Sequence, residues 1–139
     1  MPSVDINYLA VLVAGIASMA LGAFWYSPLA FGKMWMALSG LTEASMNEAK
    51  KKGMTKLYTL AFIGSLVMSY VLAHFVDYAG ATTVQEGLQT GFWVWLGFMA
   101  TKALGTVLWE NKPVKLYVLN TAYDLVSLLI MASILAVWA

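Results

Sequence analysis

The 139-residue sequence contains no cysteine. That absence excludes a disulfide framework, a thiolate metal site and a cysteine nucleophile. Arginine is absent too, so all eight basic residues are lysines, set against seven acids. Charged residues make up 11% of the chain, less than half the share of about 25% found in soluble domains. A formal net charge of +1 offers no basic footprint, and no nucleic-acid partner is expected. Histidine occurs once, and no His-Glu-x-x-His spacing, Gly-x-Ser-x-Gly elbow, phosphate-binding glycine loop or dinucleotide fingerprint is present. The reading is therefore of a protein that is not an enzyme and carries no metal or cofactor.

What the chain has instead is apolar length. Hydrophobic residues account for 61% of it, and four stretches reach the length of about 20 residues that a helix needs to cross a hydrocarbon core. They fall at residues 6–26, 56–76, 86–109 and 116–138, predicting an all-α protein with one transmembrane domain over residues 1–139. The first stretch is expected to be a retained span, because its flank Met1-Pro2-Ser3-Val4-Asp5 has an acid where a signal peptide has positive charge. Thr83 and Glu86 are spaced as a capping box, which starts the third helix near Glu86.

The lysines predict the topology. Lys33, Lys50, Lys51, Lys52 and Lys56 fall in or beside the first connection, and Lys112 and Lys115 in the third. Both connections then face the cytoplasm and both termini the outside. Trp25, Tyr26, Trp109, Tyr117 and Trp138 near the span ends match interfacial aromatic belts. The insertion at 27–55 reads as two short helices. One starts at Ser27-Pro28, runs to Gly40, and lays Phe31, Met34, Trp35 and Leu38 on the membrane interface. The other is capped by Thr42 or Ser45, carries Glu43 and Glu48 early and Lys50 to Lys52 late, and stops at Gly53.

Parts of the chain repeat. Ala17–Gly22 in the first span recurs as Ala100–Gly105 in the third, and Lys56-Leu57-Tyr58 heads the second span as Lys115-Leu116-Tyr117 heads the fourth. Two parallel helical hairpins, one carrying the 27–55 insertion, account for both matches. Within them, Ala14, Ser18 and Gly22 and their counterparts Gly97, Thr101 and Gly105 follow small-xxx-small spacing. Such rows let backbones approach closely, and they predict contact between the first and third spans, or a dimer interface.

Two ionisable residues fall well inside spans, Lys102 and Asp124, each about 10–12 Å from the cytoplasmic end of its helix. A charge at that depth costs a few kcal/mol or more unless paired or hydrated, so equal depth suggests that they pair. With Thr101, Asn120 and Tyr123 they form a candidate intramembrane polar site, either a structural lock or the lining of a cytoplasm-facing cavity for an anion, a proton or a small polar molecule. His74, Asp77 and Glu86 form a candidate polar cluster at the outer surface, without metal-ligand spacing. The functional expectation is solute, proton or ion handling by a homo-oligomer. The alternatives are an accessory subunit for other membrane proteins, or a binder of lipid or small hydrophobes walled by Trp35, Trp93 and Trp95.

The segments Trp25-Tyr26-Ser27-Pro28, Phe31–Met36, Gly91–Phe98, Leu108–Pro113 and Lys115-Leu116-Tyr117, together with Asn120, resemble the family called domain of unknown function 1761. The resemblance implies a small, mostly bacterial membrane protein, and so a place in the bacterial inner membrane with periplasmic termini. It brings no assigned activity, and no catalytic or binding residue carries over from it.

Overall fold

The computed structural model describes residues 3–138, which form helices and turns with no strand among them. Met1 and Pro2 of the lysine-free flank, and Ala139, lie outside the described residues. Four helices are long and apolar enough to cross a bilayer: α1 (Tyr8–Trp25), α4 (Thr55–Tyr78), α5 (Val84–Leu108) and α6 (Val114–Val137). Their ends lie within two residues of those expected from hydropathy. Two short helices, α2 (Gly32–Ser39) and α3 (Glu43–Lys51), occupy the first connection.

Local chemistry sets the boundaries. Asn7 caps α1, its side-chain oxygen accepting from the backbone N–H groups of Leu9 and Ala10. Its Nδ2 also donates to the carbonyl of Trp138 at 2.6 Å, tying the start of α1 to the end of α6 on one side of the bundle. Thr83 caps α5, accepting from the N–H of Glu86 at 3.2 Å, while its own hydroxyl donates to the Glu86 carboxylate at 3.1 Å. Thr42 and Ser45 cap α3 reciprocally, and Gly53 follows its end with φ at +91°. The expected start of α2 is corrected. Residues 26–31 form a tight turn instead of a first helical turn at Pro28. The Ser27 hydroxyl donates back to the Phe24 carbonyl, and the Ser27 carbonyl accepts from Gly32 N–H. A Cβ on Gly32 would stand 2.6 Å from the Ser27 carbonyl, so glycine is what lets the helix begin there.

The hub of the bundle is α6, which packs against α1, α4 and α5. The expected contact between the first and third spans is not made in that way: α1 and α5 do not run along each other, and α6 separates them. The small row of α1 does face inward. Ala14 and Ser18 are buried, and a Cβ on Gly22 would come within 2.9 Å of the Tyr123 hydroxyl, so this row receives α6. The matching row of α5 does not, because Gly97 has open space around it and Thr101 is exposed. α5 approaches α6 through Gly87 and Gly91 instead. A Cβ at either position would stand 2.8 Å from a backbone carbonyl of α6, Ala132 for Gly87 and Leu128 for Gly91. Without a hydrophobic drive between helices in lipid, such backbone proximity is a main source of packing energy.

On the other side of the hub, Ser65 and Ser69, one helical turn apart on α4, donate to the Gly15 and Val11 carbonyls of α1, each at 2.8 Å. Above this stitching, toward the joined termini, Val11, Leu72, Val76, Leu128, Met131 and Leu135 close an apolar core. The hairpins are not packed as equals. α1 lies along α6, whereas α4 and α5, which a twofold relation would place likewise, touch only weakly. The gap between them is the main opening in the side of the bundle.

Gly87→Ala and Gly91→Ala are expected to destabilise the protein by about 1–3 kcal/mol each, the usual cost of overpacking. Gly97→Ala is expected to be neutral or slightly stabilising, since alanine is the better helix former. Thermal unfolding in mild detergent distinguishes the positions; equal effects at all three would contradict the seam.

Candidate functional site

Halfway along α6 the chain carries Asp124, ten residues past Val114 and so about 15 Å along the helix. Its neighbours come from three spans. Ser18 and Met19 of α1, Ala61, Gly64 and Ser65 of α4, and Tyr123 and Ser127 beside it on α6 line a cavity of about 220 Å³ with Asp124. Met99 of α5 completes the wall. Asp124 is half-buried, and among the described residues its carboxyl accepts no hydrogen bond and has no cation within ion-pairing distance.

The hydroxyls around it are occupied. Tyr123 donates to the Ser18 carbonyl at 2.9 Å, and Ser65 to the Gly15 carbonyl at 2.8 Å. Ser18 and Ser127 share a hydrogen bond of 2.8 Å, and Ser127 can direct its own proton to the Met131 sulfur at 3.6 Å. Each hydroxyl has a single proton to give. With those protons directed at protein acceptors, the polar groups left facing the cavity are oxygen lone pairs and a carboxyl. Such a lining suits a proton or a cation and repels an anion.

Met99 owes its position to a local departure from α-helix. Residues Trp95–Ala100 form a turn of π-helix inside α5. The turn is supported from α6: the Tyr117 hydroxyl donates to the Ala100 carbonyl at 2.7 Å, and the Trp95 indole donates to the Thr121 carbonyl at 2.8 Å. Bulges of this kind re-aim the side chains beyond them and frequently mark functional segments of helices.

The expected partners of Asp124 are only partly brought together. Tyr123 lines the same cavity. Asn120 lies one turn nearer the helix start, and its side-chain oxygen accepts from the Tyr26 hydroxyl at 2.8 Å. Tyr26 packs edge-on against both Tyr123 and Trp35, with centroids 5.4 Å apart in each case. It also forms a wall of a second cavity, of about 480 Å³, shared by Lys33, Trp35, Glu43 and Lys50 of the first connection and by Tyr58 of α4. Tyr26 thus separates that lysine-lined vestibule from the Asp124 layer. Lys102 does not join them. It is exposed on the outer face of α5, and the ion pair with Asp124 is not formed. Equal depth places the two residues in one layer but on different sides of α5 and α6, and a lysine there can extend its stem along the helix toward the interface. Thr101 returns its hydroxyl to the Gly97 carbonyl at 2.7 Å on the same exposed face.

Ser18, Ser65, Ser127, Met99 and Tyr26 join the site without being among the polar-site candidates of the sequence. The serines carry a readable signal, since each falls near the middle of a span, at the level of Asp124. The outer cluster stays dispersed. His74 Nδ1 meets the Tyr70 carbonyl at 2.9 Å, its ring packs edge-on against Tyr70 and Tyr78, Asp77 is exposed, and Glu86 serves the α5 cap. Among the described residues no group of acids and histidines could hold a metal ion.

Since Lys102 and Asp124 are not partners, a double-mutant cycle of Lys102→Met and Asp124→Asn in thermal unfolding should give a coupling energy within about 0.5 kcal/mol of zero. A coupling above about 1 kcal/mol would mean that the two do interact.

A family model described as "Protein of unknown function (DUF1761)" matches residues 9–136, which takes in all four spans and the Asp124 layer. No curated protein and no solved structure matches the chain. The match covers nearly the whole sequence, and the chain belongs to the DUF1761 family.

Proposed function

We propose that this protein handles a proton or a cation at Asp124, inside the membrane and without covalent chemistry. The observation that carries the reading is a carboxyl halfway along a span that faces a cavity whose few other polar groups are acceptor oxygens and has no cation of the protein beside it. A bare carboxylate at that depth costs several kcal/mol. It therefore has two stable forms, the neutral acid and the carboxylate with a bound cation. A group that must alternate between those forms as its surroundings change is suited to exchange rather than to scaffolding.

In this reading the protein sits in the inner membrane of a bacterium, and the lysine-bearing connections support the Tyr26 side as the cytoplasmic one, with both termini outside. A proton or ion would then enter by the vestibule of Lys33, Trp35 and Tyr58 and reach Asp124 past Tyr26 and Tyr123. The apolar core beyond Ser69 blocks a straight path to the far side within one copy. The exposed Gly97 and Thr101 offer a homo-oligomer a close contact through which a path could be completed.

Difference infrared spectra of the protein in lipid across a pH step test the reading. A carboxyl C=O band is expected to appear and vanish with pH in the wild type and to be missing in Asp124→Asn. An unchanged difference spectrum in Asp124→Asn would overturn the proposal.

A further inference from the structure

The cavity around Asp124 adjoins a much less polar one. Gly64, Met68 and Met99 line both it and a space of about 400 Å³ between α4 and α5, where the other walls include Val71, Phe75 and Val94. Phe75 and Val94 in turn border a third space, of about 590 Å³, which runs to Trp93, Phe98 and Glu86 near the termini side. The weak contact between α4 and α5 therefore leaves an apolar trough along the side of the bundle, open toward lipid, that ends on a carboxyl.

We infer that Asp124 binds organic cations with a bulky apolar body, which enter sideways from the membrane through the α4–α5 trough. The inference rests on the reading of Asp124 as an exchange site and names a class of ligand for it. Charge and polarity decide the class. By this route a hydrated alkali cation would have to shed its water along an apolar wall. A phospholipid keeps its headgroup at the interface, so an acyl chain in the trough would leave Asp124 without a counter-ion. An amine or onium ion with a large hydrocarbon surface meets both ends of the site: its body replaces lipid in the trough, and its charge is neutralised at Asp124. Phe75, Trp93 and Phe98 offer ring faces that attract such cations on the way. At the junction, the flexible thioethers of Met68 and Met99 can adapt to different shapes. Joined, the two adjoining cavities fall in the size range of small-molecule sites, about 300–1,000 Å³.

The test uses tetraphenylphosphonium, with tetraphenylborate as an anion of the same shape, and equilibrium dialysis of the protein in lipid nanodiscs. Wild type is expected to bind the phosphonium and not the borate, and Asp124→Asn to lose at least about tenfold in affinity for it. Gly64→Leu is designed to fill the junction: a Cβ at Gly64 meets no heavy atom within 4 Å, so a side chain can leave the backbone there without a clash. It should weaken phosphonium binding at least about tenfold while leaving the pH-dependent carboxyl band of Asp124 in place. Gly64→Ala, the smaller change, should bind nearly as wild type does. Equal binding of both ions, or phosphonium binding untouched by Gly64→Leu, would overturn the lateral route. No phosphonium binding by a wild type that shows the carboxyl band would refute the ligand class and leave proton exchange standing. Loss of the band from wild type itself would bring down the underlying reading. If Gly64→Leu fails to fold, Met99→Phe narrows the same junction from α5, and the same outcomes apply.

Discussion

Backbone contact between α5 and α6 at Gly87 and Gly91 is the constraint on which the rest of the bundle depends. It holds the outer half of α5 against α6 at a distance that any side chain would prevent. α6 is already engaged by α1 along its other face. A helix drawn this tightly to the hub meets α4 only weakly, and the gap between α4 and α5 goes with it. The π turn at Trp95–Ala100 begins just beyond the seam and is held by Tyr117 and Trp95. It directs Met99 to the junction of the gap with the polar layer.

The polar layer obeys a different logic from the seam. In hydrocarbon a hydroxyl is costly unless it has a partner, and the serines of α1, α4 and α6 find theirs in neighbouring carbonyls or in one another. Ser65 and Ser69 thereby stitch α1 to α4, and Ser18 with Ser127 joins α1 to α6. Asp124 is the exception among these paired groups. Its surroundings offer it acceptors, and what it lacks, a proton or a positive charge, has to come from outside the protein. The structural and the proposed functional roles of the layer are thus two aspects of the same pattern of donated protons.

Much of the fold is legible in the sequence because hydrocarbon thickness fixes the length of a span, and caps fix its ends. Thr83 with Glu86, and Thr42 with Ser45, mark helix starts by the spacing of their side chains alone. Packing is less legible. Depth along a helix can be counted from an end, but the direction in which a residue faces depends on the helical period holding without interruption. The row Gly97, Thr101, Gly105 follows the α-helical period through a segment that is π-helical. One extra residue in a turn rotates the remainder of the helix by about 100°. Lys102 lies directly after that segment, which explains why its depth is readable and its partner is not. The literal Gly-x-x-x-Gly of Gly87 and Gly91 is the stronger packing signal, and it has no counterpart in the first hairpin to mark it out. The Asp124 layer is half readable: the acid and Tyr123 stand out, whereas the serines look like packing residues until their carbonyl partners are in view.

The claim at the centre of this account is that Asp124 lies on a cavity reached through the α4–α5 gap and not within a sealed bundle. The absence of native cysteine makes that directly measurable. Single substitutions Gly64→Cys, Ser65→Cys and Ser69→Cys, each in the otherwise cysteine-free protein in lipid, can be timed for reaction with a small membrane-permeant maleimide. The account predicts that cysteine at 64, and more slowly at 65, is modified, while cysteine at the fully buried position 69 is protected. Protection at position 64 equal to that at position 69 would contradict the account.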